Sequence, residues 1–472
     1  MVRLMNQAIV LVSPMVLVRF MTVHEFGRYR QFLLYASVLM TFAALNFRVS
    51  LLRFAAQQPQ FRWRYVDQVL ILTLASSVIA VGCFAGLNQL FPGAFGGEFM
   101  LPIALYVLFF VNFDFWEQLW LTEGRTGAVF AMSTGRLIAR VSVVTVSAAL
   151  TSDADTVIWA LVAFEGLRVA TSGVCWFRGR DATVPKVPGS WGEQLKFSMP
   201  VAGASIVMTL NRSMGGLYVS HYLGPVGLAQ YAIGTYVQPF VTILRNSMSD
   251  VLLPDMSADM AKQQNAPLHK WKAMTVMAAI LLVPVAVGLG RFAETFVTTF
   301  FSEQYRAAIV VFQIYLLTLI REIIDFPVVL RVLNRTSPVM ESNLISMVLN
   351  ALLLMLLLPK FGIVGSAIAF VLAQTIEGIY LGWRTLRIAN LSLREMARWS
   401  DLGKVFLAAA LSTIVILPSF WTDTLGFGGA VLGGVAFMIV YGAILVALRV
   451  PEAVSIFSQV RRVPGILLAR AR

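Results

Sequence analysis

Two arginines that lie four residues apart within an apolar stretch are the most informative side chains of this 472-residue sequence. Arg136 and Arg140 occur in VFAMSTGRLIARVSVVTV, and a third arginine, Arg212, occurs in SIVMTLNRSMGGLYV. None of the three has an acidic residue one helical turn away. A guanidinium group near the centre of a bilayer costs about 2.5 to 3.5 kcal/mol, so it is expected to face protein or water and to meet an anion. The three arginines therefore predict an anion-binding site in a hydrated, cationic cavity.

The spacing of the first two arginines places both on one face of a helix. Counted from a helix start near Thr126, Arg136 lies about 15 Å along the helix, too deep to reach the membrane surface easily. The planar guanidinium group matches the oxygen geometry of phosphates, which favours a phosphate-bearing substrate. The alternative is that Arg136 pairs with Asp114 or Glu117 on the preceding helix. The residues alone leave both interpretations open.

Other charged residues in apolar stretches have potential partners on the same helix. Glu165 and Arg168 are three residues apart, and Arg321 and Asp325 are four apart with Glu322 adjacent. Side chains at these spacings are neighbours on a helix surface and can neutralise each other. We therefore predict structural ion pairs at Glu165 and Arg168 and at Arg321 and Asp325.

Some acidic residues in the predicted helices are candidates for coupling transport to a proton or sodium gradient. These are Glu377, Asp114 and Glu117, because transport against a gradient needs a group that titrates or binds an ion. Glu377 is the most isolated of them, in VLAQTIEGIYLGW. Arg48 lies close to the predicted end of its helix, and we expect its side chain to extend to the membrane surface.

Membrane-spanning helices must position these side chains. The sequence is 58% hydrophobic and only 13% charged, against about 25% charged residues in soluble proteins. Runs of the length that crosses a bilayer as a helix cover about 4–20, 27–50, 66–88, 99–121, 127–150, 155–177, 197–220, 227–249, 272–291, 306–330, 338–358, 363–386, 403–421 and 427–448. This pattern predicts an all-α integral membrane protein with about 12 to 14 transmembrane helices.

The net charge of +13 comes mainly from lysines and arginines in loops. If the N-terminus is cytoplasmic, most of these basic residues fall in cytoplasmic loops, as the positive-inside rule requires. The charge distribution therefore predicts a membrane protein with both termini in the cytoplasm. It does not indicate a nucleic-acid partner, and the lipid bilayer is the expected surroundings.

A short glycine-containing turn recurs along the chain. It reads TVHEFGRYRQF in the first half and LGPVGLAQYAIG in the second, so that Tyr29 follows Gly27 and Tyr231 follows Gly227. A related turn, LLPKFGIVGSAIAF, contains Gly362 and Gly365. Duplicated halves are the usual architecture of secondary transporters. We therefore predict two pseudo-symmetric six-helix lobes around a central cavity, followed by a C-terminal helix pair.

Polar breaks in the sequence set the expected boundaries of these parts. The longest, RGRDATVPKVPGSWGEQLK, contains two prolines and separates the sixth helix from the seventh. The predicted segments are an N-lobe (1–180, helices 1 to 6), a cytoplasmic linker (181–196), a C-lobe (197–388, helices 7 to 12), a final helix pair (400–448) and a basic cytoplasmic tail (449–472).

Signatures of enzymes and of metal sites are absent from the sequence. It contains no Walker A motif, which argues against ATP hydrolysis. The three histidines, His24, His221 and His269, lie far apart and have no metal-ligand spacing. We expect no catalytic residue, no bound metal and no cofactor, apart from the coupling ion considered above.

Three stretches resemble signatures of one transporter family. They are VHEFGRY, TLNRSMGGLYVSHYLGPVGLAQYAIG and NLISMVLNALLLMLLLPKFGIVGSAIAFVLAQ, the last with Asn343 and Asn350. In their order and spacing they resemble the polysaccharide transport and O-antigen flippase family of the multidrug/oligosaccharidyl-lipid/polysaccharide (MOP) exporter superfamily. The resemblance covers about residues 4–450. Asn211 departs from the family pattern, which commonly has an acidic residue before the arginine.

This resemblance implies a function. Family members look like flippases that carry undecaprenyl-pyrophosphate-linked oligosaccharide repeat units from the cytoplasmic to the periplasmic leaflet by alternating access. The process would be exopolysaccharide or O-antigen biosynthesis, with polysaccharide polymerase and co-polymerase proteins as candidate partners. Arg136, Arg140 and Arg212 would then hold the pyrophosphate.

Three other functions remain open at this point. A lipid II flippase would have the same kind of charge and helix count, and a drug or cation antiporter of the same superfamily would depend on buried acids. A non-transporting scaffold of a glycan assembly complex would tolerate loss of the arginines.

Overall fold

The computed structural model describes residues 12–91, 96–180, 190–239, 247, 249, 253–259 and 266–455 of the 472. These residues form α-helices and short 3-10 turns and contain no strand. Nine of the described helical segments are long and apolar enough to cross a membrane. The protein is therefore an all-α multi-pass membrane protein.

The chain divides into two compact units, Met1–Ala232 and Ile233–Arg472. The long helix α8 ends two residues into the second unit. The helices that begin in the first unit are α1 (Val23–Ala44), α2 (Phe47–Gln57), α3 (Arg62–Leu90), α4 (Met100–Val111), α5 (Trp116–Thr122), α6 (Thr126–Thr151), α7 (Ala154–Gly179) and α8 (Ser190–Gly234).

The second unit is also helical, and its last helices share a core with its first. Its helices are α9 (Ala266–Arg291), α10 (Ala293–Phe300), α11 (Ala308–Arg321), α12 (Phe326–Val332), α13 (Ser337–Ala389), α14 (Leu393–Met396), α15 (Trp399–Ile416), α16 (Phe420–Asp423) and α17 (Gly426–Ala447). Val276 of α9, Phe312 of α11, Val405 of α15 and Tyr441 of α17 lie in one buried cluster. The predicted final helix pair thus packs into the core of this unit.

The predicted linker and tail lie partly outside the described residues, at 181–189 and 456–472. The predicted first helix, 4–20, is described only from residue 12, and the predicted helix at 227–249 is described only in part. The predicted boundaries between lobes stay predictions.

The predicted helix over 27–50 is two helices in the structure. Leu45 and Asn46, between α1 and α2, both adopt the left-handed conformation, with φ of 40° and 54°. Asn46 Nδ2 donates a hydrogen bond to Ser205 Oγ at 2.7 Å. Asparagine tolerates the left-handed conformation better than most residues. The hydrogen bond of its side chain to Ser205 then stabilises the break.

The predicted helix over 99–121 is also broken, between α4 and α5. Phe113 has a φ of 56°, which ends the helical path. Asn112 stabilises the break, since its Nδ2 donates to Ser77 Oγ at 3.0 Å and its Oδ1 accepts from Thr73 Oγ1 at 3.1 Å. Buried hydrogen bonds of Asn112 thus stabilise a break within an otherwise apolar membrane span.

A similar break divides the predicted helix over 306–330 into α11 and α12. Asp325 is the N-cap residue of α12, and its side chain accepts a hydrogen bond from the main-chain N–H of Val328 at 3.3 Å. The two broken helices are the fourth predicted span of each six-helix half. Broken membrane helices at matching positions in repeated halves commonly mark binding sites.

The glycines of the predicted turns lie where main-chain atoms approach closely, and Gly27 lies within α1 rather than in a turn. A side chain at Gly27 would collide with the main-chain oxygen of Pro225, and one at Gly365 with that of Leu357. Gly362 adopts φ 57° and ψ −139° at a kink within α13, a conformation that is essentially restricted to glycine. The turn that contains Gly227 is a second kink, within α8.

Candidate functional site

The break between α4 and α5 carries one charged residue and brings it together with charged residues from three helices. Asp114 lies in the break and is 8% exposed. Its Oδ1 is 2.8 Å from Nη1 of Arg136 on α6, and its Oδ2 contacts the guanidinium group of Arg48 on α2. Asp114 therefore bridges two arginines that are far apart in sequence.

A second carboxylate completes this arrangement. Glu165 of α7 is fully buried, and its Oε2 lies 3.1 Å from Arg136 Nη2 and 2.6 Å from Arg168 Nε. We call Arg48, Asp114, Arg136, Glu165 and Arg168 the α4 ion network. Helix α7 supplies Glu165 and Arg168 at the i, i+3 spacing that the sequence predicts.

Arg168 also holds the broken end of α4. It donates hydrogen bonds to the main-chain oxygens of Phe110 at 3.2 Å, Asn112 at 3.1 Å and Phe113 at 3.2 Å, and to that of Phe109. The last carbonyls of a helix lack partners within the helix and carry partial negative charge. The guanidinium group of Arg168 donates hydrogen bonds to these carbonyls and also offsets their negative charge. Arg168 therefore stabilises the break.

The α4 ion network has an excess of positive charge, with three guanidinium groups and two carboxylates. Arg140, one turn after Arg136, adds a further positive charge beside it. Its Nη2 donates to Tyr106 Oη at 2.6 Å, and its guanidinium group lies 5.7 Å from the ring centre of Phe110. Within the described part of the chain, Arg140 makes no ion pair. The site can therefore accept an anion.

Of the two interpretations of Arg136 that the sequence left open, the structure shows the ion pair with an acid of another segment. Arg136 binds Asp114, which the sequence offered as a partner, and Glu165, which the sequence did not suggest. Glu117 lies within electrostatic range of Arg48, whereas the ion pair with Arg136 is made by Asp114. The expectation that Arg48 extends to the membrane surface is wrong, because its side chain turns inward to Asp114.

The third predicted anion-binding arginine has different surroundings. Arg212 lies on α8 and its side chain is exposed, while Asn211 beside it is buried. The two tyrosines of the motif turns, Tyr29 and Tyr231, are buried as well. Arg136 and Arg140 are thus partly buried against α4, whereas Arg212 presents its side chain at the surface of α8.

A smaller ion network lies at the second broken helix. Arg321 Nη1 is 2.7 Å from Glu322 Oε1, and its Nη2 is 3.0 Å from Glu377 Oε2 on α13. Ser342 Oγ donates to Glu377 Oε1 at 3.4 Å. The expected isolation of Glu377 is therefore wrong. The predicted pair of Arg321 with Asp325 is replaced, because Asp325 caps α12 and Glu377 reaches Arg321 from a neighbouring helix.

The two networks have a similar arrangement of residues. In each unit, the break in the fourth predicted span carries an acid, and a glutamate from a later helix meets an arginine there. In the second network, the guanidinium group of Arg321 contacts two carboxylates, Glu322 and Glu377. The described residues contain no group of three or more potential metal ligands.

The sequence alone does not predict the contacts of Tyr106 and Phe110 with the arginines or the inward orientation of Arg48. A signal was present in FFVNFDFWEQ, where Asn112 and Asp114 interrupt an apolar run. Polar residues of this kind in a membrane helix indicate a break or a functional site.

Solved structures with a similar fold define the class of protein. A structure described as lipid II flippase MurJ in an inward closed conformation has a TM-score of 0.72 and 15% identity, covering 94% of this chain and 97% of that chain. An inward-facing multidrug resistance MATE family transporter of the MOP superfamily has a TM-score of 0.60 and 12% identity, covering 81% and 95%. The fold is that of a MOP-superfamily transporter.

Comparisons at the level of sequence identify the family within this class of transporters. The model of the family described as polysaccharide biosynthesis protein matches residues 16–310, and that of lipid II flippase MurJ matches residues 195–435. The probable low-salt glycan biosynthesis flippase Agl15 of Haloferax volcanii is 22% identical over 363 residues, 74% of each protein. The chain belongs to the polysaccharide biosynthesis protein family, as a flippase of the MOP superfamily. These families are transporters rather than enzymes.

Proposed function

We propose that this protein flips undecaprenyl-pyrophosphate-linked oligosaccharide repeat units from the cytoplasmic to the periplasmic leaflet of the bacterial inner membrane. The glycan would be destined for exopolysaccharide or O-antigen, and polymerase and co-polymerase proteins would receive it. Both termini would lie in the cytoplasm. The observation that carries the proposal is the positive excess of the α4 ion network, with Arg140 beside it.

The chemistry of the network suits a pyrophosphate. Asp114 and Glu165 hold the guanidinium group of Arg136 in one orientation, so little freedom is lost when an anion binds. Pyrophosphate carries at least two negative charges and accepts paired hydrogen bonds from arginine. It can therefore neutralise the excess charge and share Arg136 with the carboxylates. The two carboxylates also allow release, because they take back the arginine when the anion leaves.

A drug or cation antiporter fits this arrangement less well. Its substrate is cationic, and the broken helix in the first unit is surrounded by more arginines than acids. A scaffold without transport activity gives no reason to keep Arg140 partly buried beside a second arginine.

A lipid II flippase is the second candidate, and a specific observation favours it. The second family model and the similar solved structure both carry the name lipid II flippase MurJ. Lipid II also carries a polyprenyl pyrophosphate, so the same arginines would serve. The two substrates differ in the group that the pyrophosphate carries.

Two measurements test the proposal. Deleting the gene should cause one lipid-linked glycan to accumulate, and its sugar composition decides between a repeat unit and lipid II. The purified protein in vesicles should then move that glycolipid between leaflets, while Arg140→Gln should slow this movement and Arg178→Gln, at an exposed arginine of α7, should not. Normal export by cells that lack the gene, or normal movement by Arg140→Gln, contradicts the proposal.

A further inference from the structure

Two aromatic side chains of α4 contact the guanidinium group of Arg140. Tyr106 and Phe110 are four residues apart, which places them on one face of the helix, and their ring centres are 5.6 Å apart. The guanidinium carbon of Arg140 lies 5.8 Å from the ring centre of Tyr106 and 5.7 Å from that of Phe110. Its Nη2 donates a hydrogen bond to Tyr106 Oη at 2.6 Å. Uncharged groups of α4 thus hold Arg140.

Arg136, one turn earlier on α6, is held by charged groups instead. Its Nη1 lies 2.8 Å from Asp114 Oδ1, and its Nη2 lies 3.1 Å from Glu165 Oε2. These carboxylates orient the guanidinium group but also offset its charge. Arg140 makes no ion pair with any carboxylate of the described residues. An aromatic ring attracts a cation through its quadrupole and carries no net charge, so Arg140 is held while its positive charge is kept for an anion.

Packing against α1 fixes the place of the tyrosine hydroxyl. Tyr106 and Phe32 of α1 are both fully buried, and their rings pack edge to face with 5.3 Å between ring centres. A side chain that is locked by packing presents its polar group at one position. The hydrogen bond to this hydroxyl limits the positions that the guanidinium group of Arg140 can take. The orientation of Arg140 therefore depends on the packing of α1 against α4.

Phe110 connects Arg140 with the α4 ion network. Its ring centre lies 5.1 Å from the guanidinium carbon of Arg136, 5.7 Å from that of Arg140 and 6.0 Å from that of Arg48. Attraction between a cation and a ring is significant up to about 6 Å. Like charges at such distances repel each other. Phe110 therefore helps to keep three positive groups close together without adding a negative charge.

We propose that Tyr106 and Phe110 are positioning residues of the anion site, which hold Arg140 in the orientation in which it binds a diphosphate group. An arginine that is free to move must be ordered when the anion binds, and positioning it beforehand removes that cost. This inference rests on the proposed function, which assigns Arg140 to the pyrophosphate.

The first test is isothermal titration of the purified full-length protein with inorganic pyrophosphate. Tyr106→Phe removes the hydroxyl and Phe110→Leu removes the ring. Each should weaken binding by about three- to tenfold, as expected when one side chain must be ordered on binding. Tyr65→Phe on α3 is the matched control, because Tyr65 is also buried and its hydroxyl donates to Gln58 Oε1 at 2.7 Å. This control should bind pyrophosphate like the wild type.

Fluorinated phenylalanines separate the electrostatic role of Phe110 from its packing. Each added fluorine weakens the negative face of the ring and changes its size little, so pyrophosphate binding should weaken stepwise as fluorine is added at position 110. The control is the same series at Phe99, whose ring centre lies 5.5 Å from the guanidinium carbon of Arg28. Arg28 is paired with Asp155, and this series should leave binding unchanged. Equal binding along the series at Phe110 would overturn its assigned role.

A double-mutant cycle shows whether the two aromatic residues act through Arg140. In an Arg140→Gln background, Tyr106→Phe and Phe110→Leu should change the pyrophosphate affinity by less than about twofold. Titration up to millimolar pyrophosphate keeps the weakened binding measurable. Equal weakening with and without Arg140 would indicate a general structural effect and would overturn the proposal.

The outcomes also separate this inference from the proposed function. If Arg140→Gln weakens pyrophosphate binding while Tyr106→Phe and Phe110→Leu do not, the positioning role is disproved and the proposed function stands. If the wild type does not bind pyrophosphate, or if Arg140→Gln binds it equally well, both proposals fail.

Discussion

Arg168 donates a hydrogen bond to the main-chain oxygen of Phe113 at 3.2 Å, at the residue where the α4 helix breaks. The same guanidinium group binds Glu165, which in turn orients Arg136. The shape of the backbone and the position of Arg136 are therefore linked through one buried carboxylate.

Replacing Arg168 by leucine should destabilise the protein strongly. The change removes the donors for the last carbonyls of α4 and leaves fully buried Glu165 with one arginine fewer. Removing one partner of a buried ion pair costs about 3 to 5 kcal/mol. Thermal unfolding in detergent measures the effect. Arg178→Leu, at an exposed position of the same helix, is the control and should change stability by less than about 0.5 kcal/mol.

Charge reversal at the predicted anion-binding arginines should abolish glycan export. Arg140→Glu and Arg212→Glu each place a negative charge where a pyrophosphate is expected, and the repulsion opposes binding. Export is measured in cells that lack the chromosomal gene, and the amount of protein in the membrane is measured in parallel. Wild-type export by the double variant would count against a cationic path. Arg178→Glu tests whether any added negative charge has the same effect.

The Arg321 network should decide how transport is driven. Glu377→Gln removes one of the two carboxylates that contact Arg321 and leaves Glu322 as the other. We expect the ion gradient that drives the wild type, whether proton or sodium, to drive this variant no longer. Uptake into vesicles with an imposed pH or sodium gradient measures it. Glu341→Gln, at an exposed residue of α13, should respond like the wild type, and an unchanged response of Glu377→Gln would rule out coupling through this residue.

The kink in α13 should not tolerate a side chain at Gly365. A methyl group there would collide with the main-chain oxygen of Leu357, which cannot rotate away. We expect Gly365→Ala to lower stability by about 1 to 3 kcal/mol, the usual cost of overpacking. Gly434→Ala on α17 meets open space and should raise stability by about 0.5 to 1 kcal/mol, because alanine favours helix. Equal effects of the two changes would contradict this account.

Asp153, the N-cap residue of α7, should make the stability of the protein depend on pH in the acidic range. Hydrogen bonds from the main-chain N–H and the hydroxyl of Thr156 lower the pKa of Asp153. Because the pKa of Asp153 is lower in the folded than in the unfolded state, its carboxylate stabilises the protein when the pH is above the unfolded-state pKa. This stabilisation is lost as the pH falls through the folded-state pKa. Asp153→Ala should cost about 1 kcal/mol near neutral pH. Unfolding measured over acidic pH should show the wild type and the variant converging, and parallel curves would contradict the assignment.

Sequence alone determined the features that depend on composition and on spacing within one helix. The excess of apolar residues required a membrane protein, and the spacing of Glu165 and Arg168 placed them in contact because residues three apart share a helix face. The four-residue spacing likewise put Arg136 and Arg140 on one face of α6. The motif glycines Gly27 and Gly365 lie within helices, where main-chain atoms of Pro225 and Leu357 leave no room for a side chain.

Only the tertiary structure decided which charges meet between helices. Arg48 and Arg136 share Asp114 although they are far apart in sequence, and Glu377 reaches Arg321 from a neighbouring helix. Periodicity cannot predict such contacts, because they depend on how each helix is rotated and on where it breaks. The break at Phe113 has neither glycine nor proline at the left-handed residue. It is held by hydrogen bonds from Asn112 and Arg168, and those partners exist only once the helices have packed.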